Sequence, residues 1–83
     1  MSTYKIMKII NKLMNNGISE LNRHDIEVVF DMDVTYDTKE IFEYLGCTVT
    51  YVADIFNVKM PETKFTREEM LNQKRIENLL AMI

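Results

Sequence analysis

Apolar positions along this chain fall mostly at helical spacing, and one stretch of the pattern occurs twice. Ile26, Val29, Phe30, Asp31, Met32, Val34, Thr35 and Tyr36 align, fifteen residues on, with Ile41, Tyr44, Leu45, Gly46, Cys47, Val49, Thr50 and Tyr51. Each copy reads as apolar residues three and four apart, a turn residue, one buried hydrophobe, a capping residue (Asp33 or Thr48), and then Val-Thr-Tyr. The pattern predicts short helices joined by tight turns.

Before the repeat, Ile6, Met7, Ile9, Ile10, Leu13 and Met14 form one broad stripe, with Lys5, Lys8 and Lys12 on the other side. Thr3 is the predicted cap of this first helix and Gly17 its stop. Asn22 caps a second helix, with Asp25 near the amide dipole and Ile26, Val29 and Phe30 on one face. A strand competes here. Ile26, Val28, Phe30, Met32, Val34 and Tyr36 alternate with Glu27, Asp31 and Asp33, the period of a half-buried strand. The second copy of the repeat lacks that alternation, which favours the helix.

Asp37-Thr38-Lys39-Glu40 reads as a capping box before Ile41, Phe42 and Leu45, though the helix could equally start at Asp33. Gly46 ends it. Thr48 then caps a fourth helix, with Val49, Val52, Ala53 and Phe56 at i, i+3, i+4 and i+7. Again a strand competes, because Val49, Thr50, Tyr51 and Val52 favour strands. Pro61 breaks the pattern. Thr66-Arg67-Glu68-Glu69 opens a terminal helix carrying Met70, Leu71, Ile76, Leu79, Leu80 and Ile83. Its last turns are apolar and are expected to dock on the first helix, in the same subunit or across a dimer. The expected fold is all-α, one domain of about five short helices. The alternative is α+β, with strands near residues 26–36 and 48–60.

Eighty-three residues bury only about 60–65% of the unfolded surface, so the core is small. No apolar run approaches the ~20 residues that span a bilayer, so no membrane insertion is expected. One cysteine, Cys47, excludes an internal disulfide and points to a reducing, cytoplasmic compartment. The use of Asn, Lys, Ile, Met and Tyr is compatible with an AT-rich genome and a phage-type accessory protein. The net charge of −3 is unevenly spread. Residues 1–19 carry three lysines and no acid. Residues 20–45 carry Glu20, Asp25, Glu27, Asp31, Asp33, Asp37, Glu40 and Glu43 against Arg23 and Lys39, a sum of −6. Residues 46–83 balance. Such an acidic middle repels phosphate and attracts basic partners, although a solvated acidic face also serves simply to keep a small protein soluble.

Thr38 to Phe56 resembles the helix-turn-helix of many repressors. Ile41 and Leu45 face the core, Gly46 makes the turn, Cys47 plugs it, and Val52 and Ile55 seat the second helix. The resemblance implies a dimeric DNA-binding regulator reading through Thr48, Thr50, Tyr51, Asn57 and Lys59. Two features depart from it. Phe42 is bulky where that family has a small residue, and residues 48–57 hold Asp54 but no Arg or Lys.

Val28-Val29-Phe30-Asp31-Met32-Asp33-Val34-Thr35 resembles the opening motif of haloacid-dehalogenase-type phosphatases. That would make Asp31 a nucleophile and Asp33 an acid/base. Val34 replaces the usual glycine, and the chain leaves little room for a large parallel sheet and Mg²⁺ ligands. Asp31, Asp33, Thr35 and Asp37 echo a calcium loop, but Tyr36 and Phe42 stand where it needs Gly and Glu. His24 and Cys47 are too few for zinc. Cys47 reads as a buried hydrophobe, and Met7, Met14 and Met70 as core filler.

No cofactor, metal or enzymatic activity is therefore expected. The leading expectation is a small cytoplasmic inhibitor or adaptor that binds a basic or apolar protein surface. Tyr36, Asp37, Glu40, Glu43, Tyr44 and Tyr51 would form its contact face. A homodimer through the first and last helices is the expected oligomer, and the charge disfavours nucleic acid.

Overall fold

The computed structural model describes residues 2–83. It holds four helices and a three-stranded antiparallel sheet, so the expected five-helix, all-α fold is overturned. In chain order the elements are α1 (Thr3–Asn15), β1 (Glu20–Asn22), α2 (Arg23–Phe30), α3 (Tyr36–Tyr44), β2 (Thr48–Val52), β3 (Ile55–Lys59) and α4 (Arg67–Ala81).

The helix ends follow local chemistry. Ser2, not Thr3, caps α1, and its hydroxyl accepts from Lys5 N at 3.2 Å. Ile18 N reaches back to Leu13 O at 3.0 Å across Gly17. Asn22 caps α2 as expected, and the structure adds a reciprocal bond from Asn22 N to Asp25, which completes a capping box. α3 starts one residue after Thr35, earlier than the Asp37–Glu40 signal implied. The Thr35 amide donates to Thr38 Oγ1 at 3.0 Å, and the Thr38 hydroxyl donates to Asp33 O at 3.2 Å. That network lets Thr38 sit inside the core fully satisfied. Gly46 ends α3 at φ +89, where a side chain would be strained. Cys47 N then bonds to Phe42 O, closing the turn.

The fourth predicted helix is instead a hairpin. β2 and β3 pair from Thr48↔Lys59 to Val52↔Ile55, and Ala53-Asp54 makes the two-residue turn. Period two wins because Phe56 and Val58 point inward with Val49 and Tyr51, while Thr48, Thr50, Asn57 and Lys59 point outward. β1 adds to the far side of β3, with Leu21 opposite Val58. So the alternative strand reading holds near residues 48–60, as two strands joined by a turn. None runs through 26–36, where α2, a linker and the start of α3 lie instead.

Ile6, Met7 and Ile10 of α1 meet Ile26 and Phe30 of α2, Phe42 of α3, and Phe56 and Val58 of the sheet in one core. Phe30 and Phe42 stack edge to face at 5.2 Å and join α2 to α3. Burying each such side chain contributes about 1.5–3 kcal/mol. Met7 is buried, and Met14 and Met70 pack against the core's edge.

α4 lies outside this core and buries no residue. It runs antiparallel to α1. Asn11 bonds both the amide and the carbonyl of Phe65, at 2.9 Å each, and Glu77 Oε1 accepts from Tyr4 N at 3.0 Å. Lys74 lies over the Tyr4 ring at 5.4 Å. Leu79 and Leu80 do not dock on α1 within the chain, because both are more than half exposed.

Candidate functional site

The solvent side of α3 is the most distinctive surface. A helix starting at Tyr36 places Tyr36, Asp37, Glu40, Glu43 and Tyr44 at i, i+1, i+4, i+7 and i+8, which share one face. All five are exposed. The opposite face is anchored by Thr38 and Phe42 in the core, with Ile41 packed against it. That anchoring fixes the display over about 12 Å of helix.

Lys39 is the only base in α3. Its ammonium bonds Glu43 at 2.9 Å and lies 5.4 Å from the centre of the Tyr36 ring. The bond to Glu43 raises the lysine's pKa. Asp37 and Glu40 have no ion-pair partner among the described residues. The face thus presents two free carboxylates and one shared carboxylate between two tyrosines. It suits a partner with cationic and apolar groups, since tyrosine offers large contact area with a polar tip.

Tyr51, predicted as part of this face, is elsewhere. It lies on the inner side of the sheet, half buried, with its ring edge-on to Phe56 at 5.2 Å. The residues expected on a DNA-reading helix are not helical. Thr48, Thr50, Asn57 and Lys59 all lie on the outer face of the sheet, and Tyr51 is on the opposite face. The Asn57 amide there is held by Glu20 of β1. Val52 and Ile55 face each other at the hairpin tip, both largely exposed. Helical periodicity hid that pair, because it assigned Val52 to a buried stripe.

Asp31 and Asp33 stand in the linker between α2 and α3, exposed, with Asp31 in the left-handed region at φ +50. Val28, Val29 and Phe30 form the last turn of a helix rather than a strand, so the element a phosphatase motif requires is missing there. The segment that echoed a calcium loop runs into α3 and cannot wrap an ion. Among the described residues, no three His, Cys, Asp or Glu side chains converge on a metal position. His24 is exposed in the first turn of α2. Cys47 is buried, and desolvation pushes its thiol up to about 11, so it is not poised as a nucleophile. No described helix is long and apolar enough to cross a membrane. No known protein family, curated protein or solved structure matches this chain.

Proposed function

We propose that this chain is a non-enzymatic protein-binding module, a small inhibitor or adaptor of the phage accessory type that works in the cytoplasm. Its docking element is the exposed face of α3, and its target surface is basic with apolar patches. One observation carries the reading. Tyr36, Asp37, Glu40, Glu43 and Tyr44 stand together on the outer side of a helix whose inner side is locked into the core. Electrostatic complementarity of this kind governs association rate and specificity more than raw affinity.

A second reading has one observation in its favour. Helix, strand, two helices joined by a short linker, and a hairpin make the order of a winged helix-turn-helix, with α3 in the place of the DNA-reading helix. The charge argues against it. Between residues 23 and 59 the acids are Asp25, Glu27, Asp31, Asp33, Asp37, Glu40, Glu43 and Asp54, and the bases are Arg23, Lys39 and Lys59, a sum of −5. A groove reader needs a basic footprint.

Capture on immobilised chain separates the two readings. Proteins retained by the wild type should be lost with Glu40→Lys plus Glu43→Lys and kept with Thr50→Ala plus Asn57→Ala. Duplex DNA should bind weakly at both low and moderate salt. Tight DNA binding that falls on the order of 10³-fold between 50 and 200 mM salt would establish the second reading instead.

A further inference from the structure

The sheet has two edges, and they are built differently. β1 is one of them. It is three residues long, carries Glu20, whose carboxylate is tied to Asn57, and runs straight into α2 at Arg23. Shortness and charge are common ways of blunting an edge. β2 is the other. Its five residues, Thr48-Val49-Thr50-Tyr51-Val52, include no charge and no proline, and their pairing with β3 has no bulge. All five are β-branched or aromatic, the types that favour strands.

The register decides where the backbone groups of β2 point. Met60, just after β3, donates its amide to Ser19 O, so the even-numbered residues along this strand bond toward β1. Ile55, Asn57 and Lys59 therefore bond to Val52, Thr50 and Thr48. Val49 and Tyr51 are left with amides and carbonyls pointing away from the sheet. Those groups take no other backbone partner among the described residues.

We propose that β2 of a second copy pairs with this edge, antiparallel, about a twofold axis at Thr50. In that register Val49 of each copy lies opposite Tyr51 of the other, and each such pair exchanges both backbone bonds. Every outward group of both strands is then satisfied. A shift by one residue sets outward groups against inward ones, and a shift by two leaves half of them unpaired. The side chains agree with the axis. On the inner side, the row Phe56, Tyr51 of one copy continues as Val49, Val58 of the other, so the half-buried Tyr51 ring gains an apolar neighbour. On the outer side, Thr50 meets its own counterpart, and Thr48 lies beside the largely exposed Val52. Each cross-strand pair thus joins uncharged residues suited to strands, which is why a second copy fits this edge better than a charged extended segment of another protein. The strand order becomes β1-β3-β2-β2-β3-β1, with a blunted β1 at either end. The contact is isologous and closes at two.

Sedimentation of the full chain from about 1 to about 500 µM reads the pairing. The expected species is a pair of 9.8 kDa chains in exchange with the single chain. Thr50→Lys sets like charges face to face at the axis and should weaken the pair on the order of 10-fold. Thr50→Glu should do the same, and an equal mixture of the two variants should pair at least as well as the wild type. Circular dichroism of the single chain should not change, because Thr50 is exposed. Thr50→Cys should give a disulfide-linked dimer under mild oxidation, since residues opposed at a non-hydrogen-bonded position stand about 4.5 Å apart at Cα, within disulfide reach. The wild type, whose Cys47 is buried, should give none. Glu40→Lys with Glu43→Lys should leave the pair intact, so failure of the α3 reading and failure of this one are separable. A single-chain mass at every concentration overturns the proposal. So does a dimer indifferent to Thr50→Lys, or one that gives no crosslink with Thr50→Cys.

Discussion

Phe42 and Leu79 are both large apolar side chains on well-capped helices, yet Phe42 has no solvent contact and Leu79 is more than half exposed. The helices around them are held differently. α3 is fixed by side chains that reach the core through Phe42 and Thr38. α4 is fixed by its own capping box, by the packing of Met70 against the core's edge, and by a few polar bonds, chiefly those of Asn11 and Glu77. A helix of this length is marginal without tertiary support. The difference implies two cooperative units in one small domain. Opening the core takes everything with it, and α4 can loosen alone.

The largest test of that division is Phe42→Ala. It removes a fully buried ring and its edge contact with Phe30. The expected cost is about 3–5 kcal/mol, most of the stability of a domain this size. The urea midpoint should collapse for every probe together, and a variant that melts like the wild type would mean the core is placed wrongly.

Asn11→Ala should divide the molecule instead. It removes both bonds to the Phe65 backbone, worth about 1–3 kcal/mol. Amide exchange should quicken in α4 while α2 and α3 stay protected. Uniform loss of protection would make α4 part of the core's cooperative unit.

A smaller change should strengthen the body alone. Ala53 holds φ +54 in the hairpin turn, a conformation that costs a residue with a side chain about 1–2 kcal/mol. Ala53→Gly gives back part of this to chain entropy, so a net gain of about 0.5–1 kcal/mol is expected. It should appear in the urea midpoint of the body with α4 exchange unchanged.

The smallest effect concerns the start of α4. Glu69 accepts from Thr66 N at 2.9 Å, which lowers its pKa below the ordinary glutamate value of 4.5. A depressed carboxylate stabilises the fold above its unfolded pKa. That contribution fades as pH falls through the ordinary value and is lost below the lowered one. The first turn of α4 should therefore fray in mild acid before the body responds. Glu69→Gln, which removes the titrating carboxylate, should flatten that profile, and an identical acid response in both chains would remove the box as its cause.

Much of this was readable from residues. The apolar stripe of α1, the Asn22 cap, the stop at Gly46 and the Thr66–Glu69 box are local signals, and local physics decides helix ends. Five of the six predicted partner residues share the α3 face for the same reason. The internal repeat misled, because one phrase adopts two structures. Val34-Thr35-Tyr36 leads into α3, whereas Val49-Thr50-Tyr51 is strand β2. Val49, Val52, Ala53 and Phe56 satisfy a helical period, and Val49, Tyr51, Phe56 and Val58 satisfy a strand. The choice rests on pairing with β1, a three-residue strand far away in sequence and too short to announce itself. Tyr51 left the predicted contact face because that choice reversed its direction.

Cys47 makes the molecule its own timekeeper. It sits where α3 turns into β2, buried, with its thiol raised from 9.0 to about 11. The closed form therefore carries about a hundredfold fewer thiolates than the open form at a given pH, before steric shielding is counted. An alkylating reagent then marks the chain only during excursions that expose this junction. The groove beside that turn is lined by Leu45 and Gly46 together with Glu69, Asn72 and Gln73 of α4, so the rate of marking records any opening that frees the turn, from the core side or from α4. A single native atom thus dates each opening, with no dye or added label.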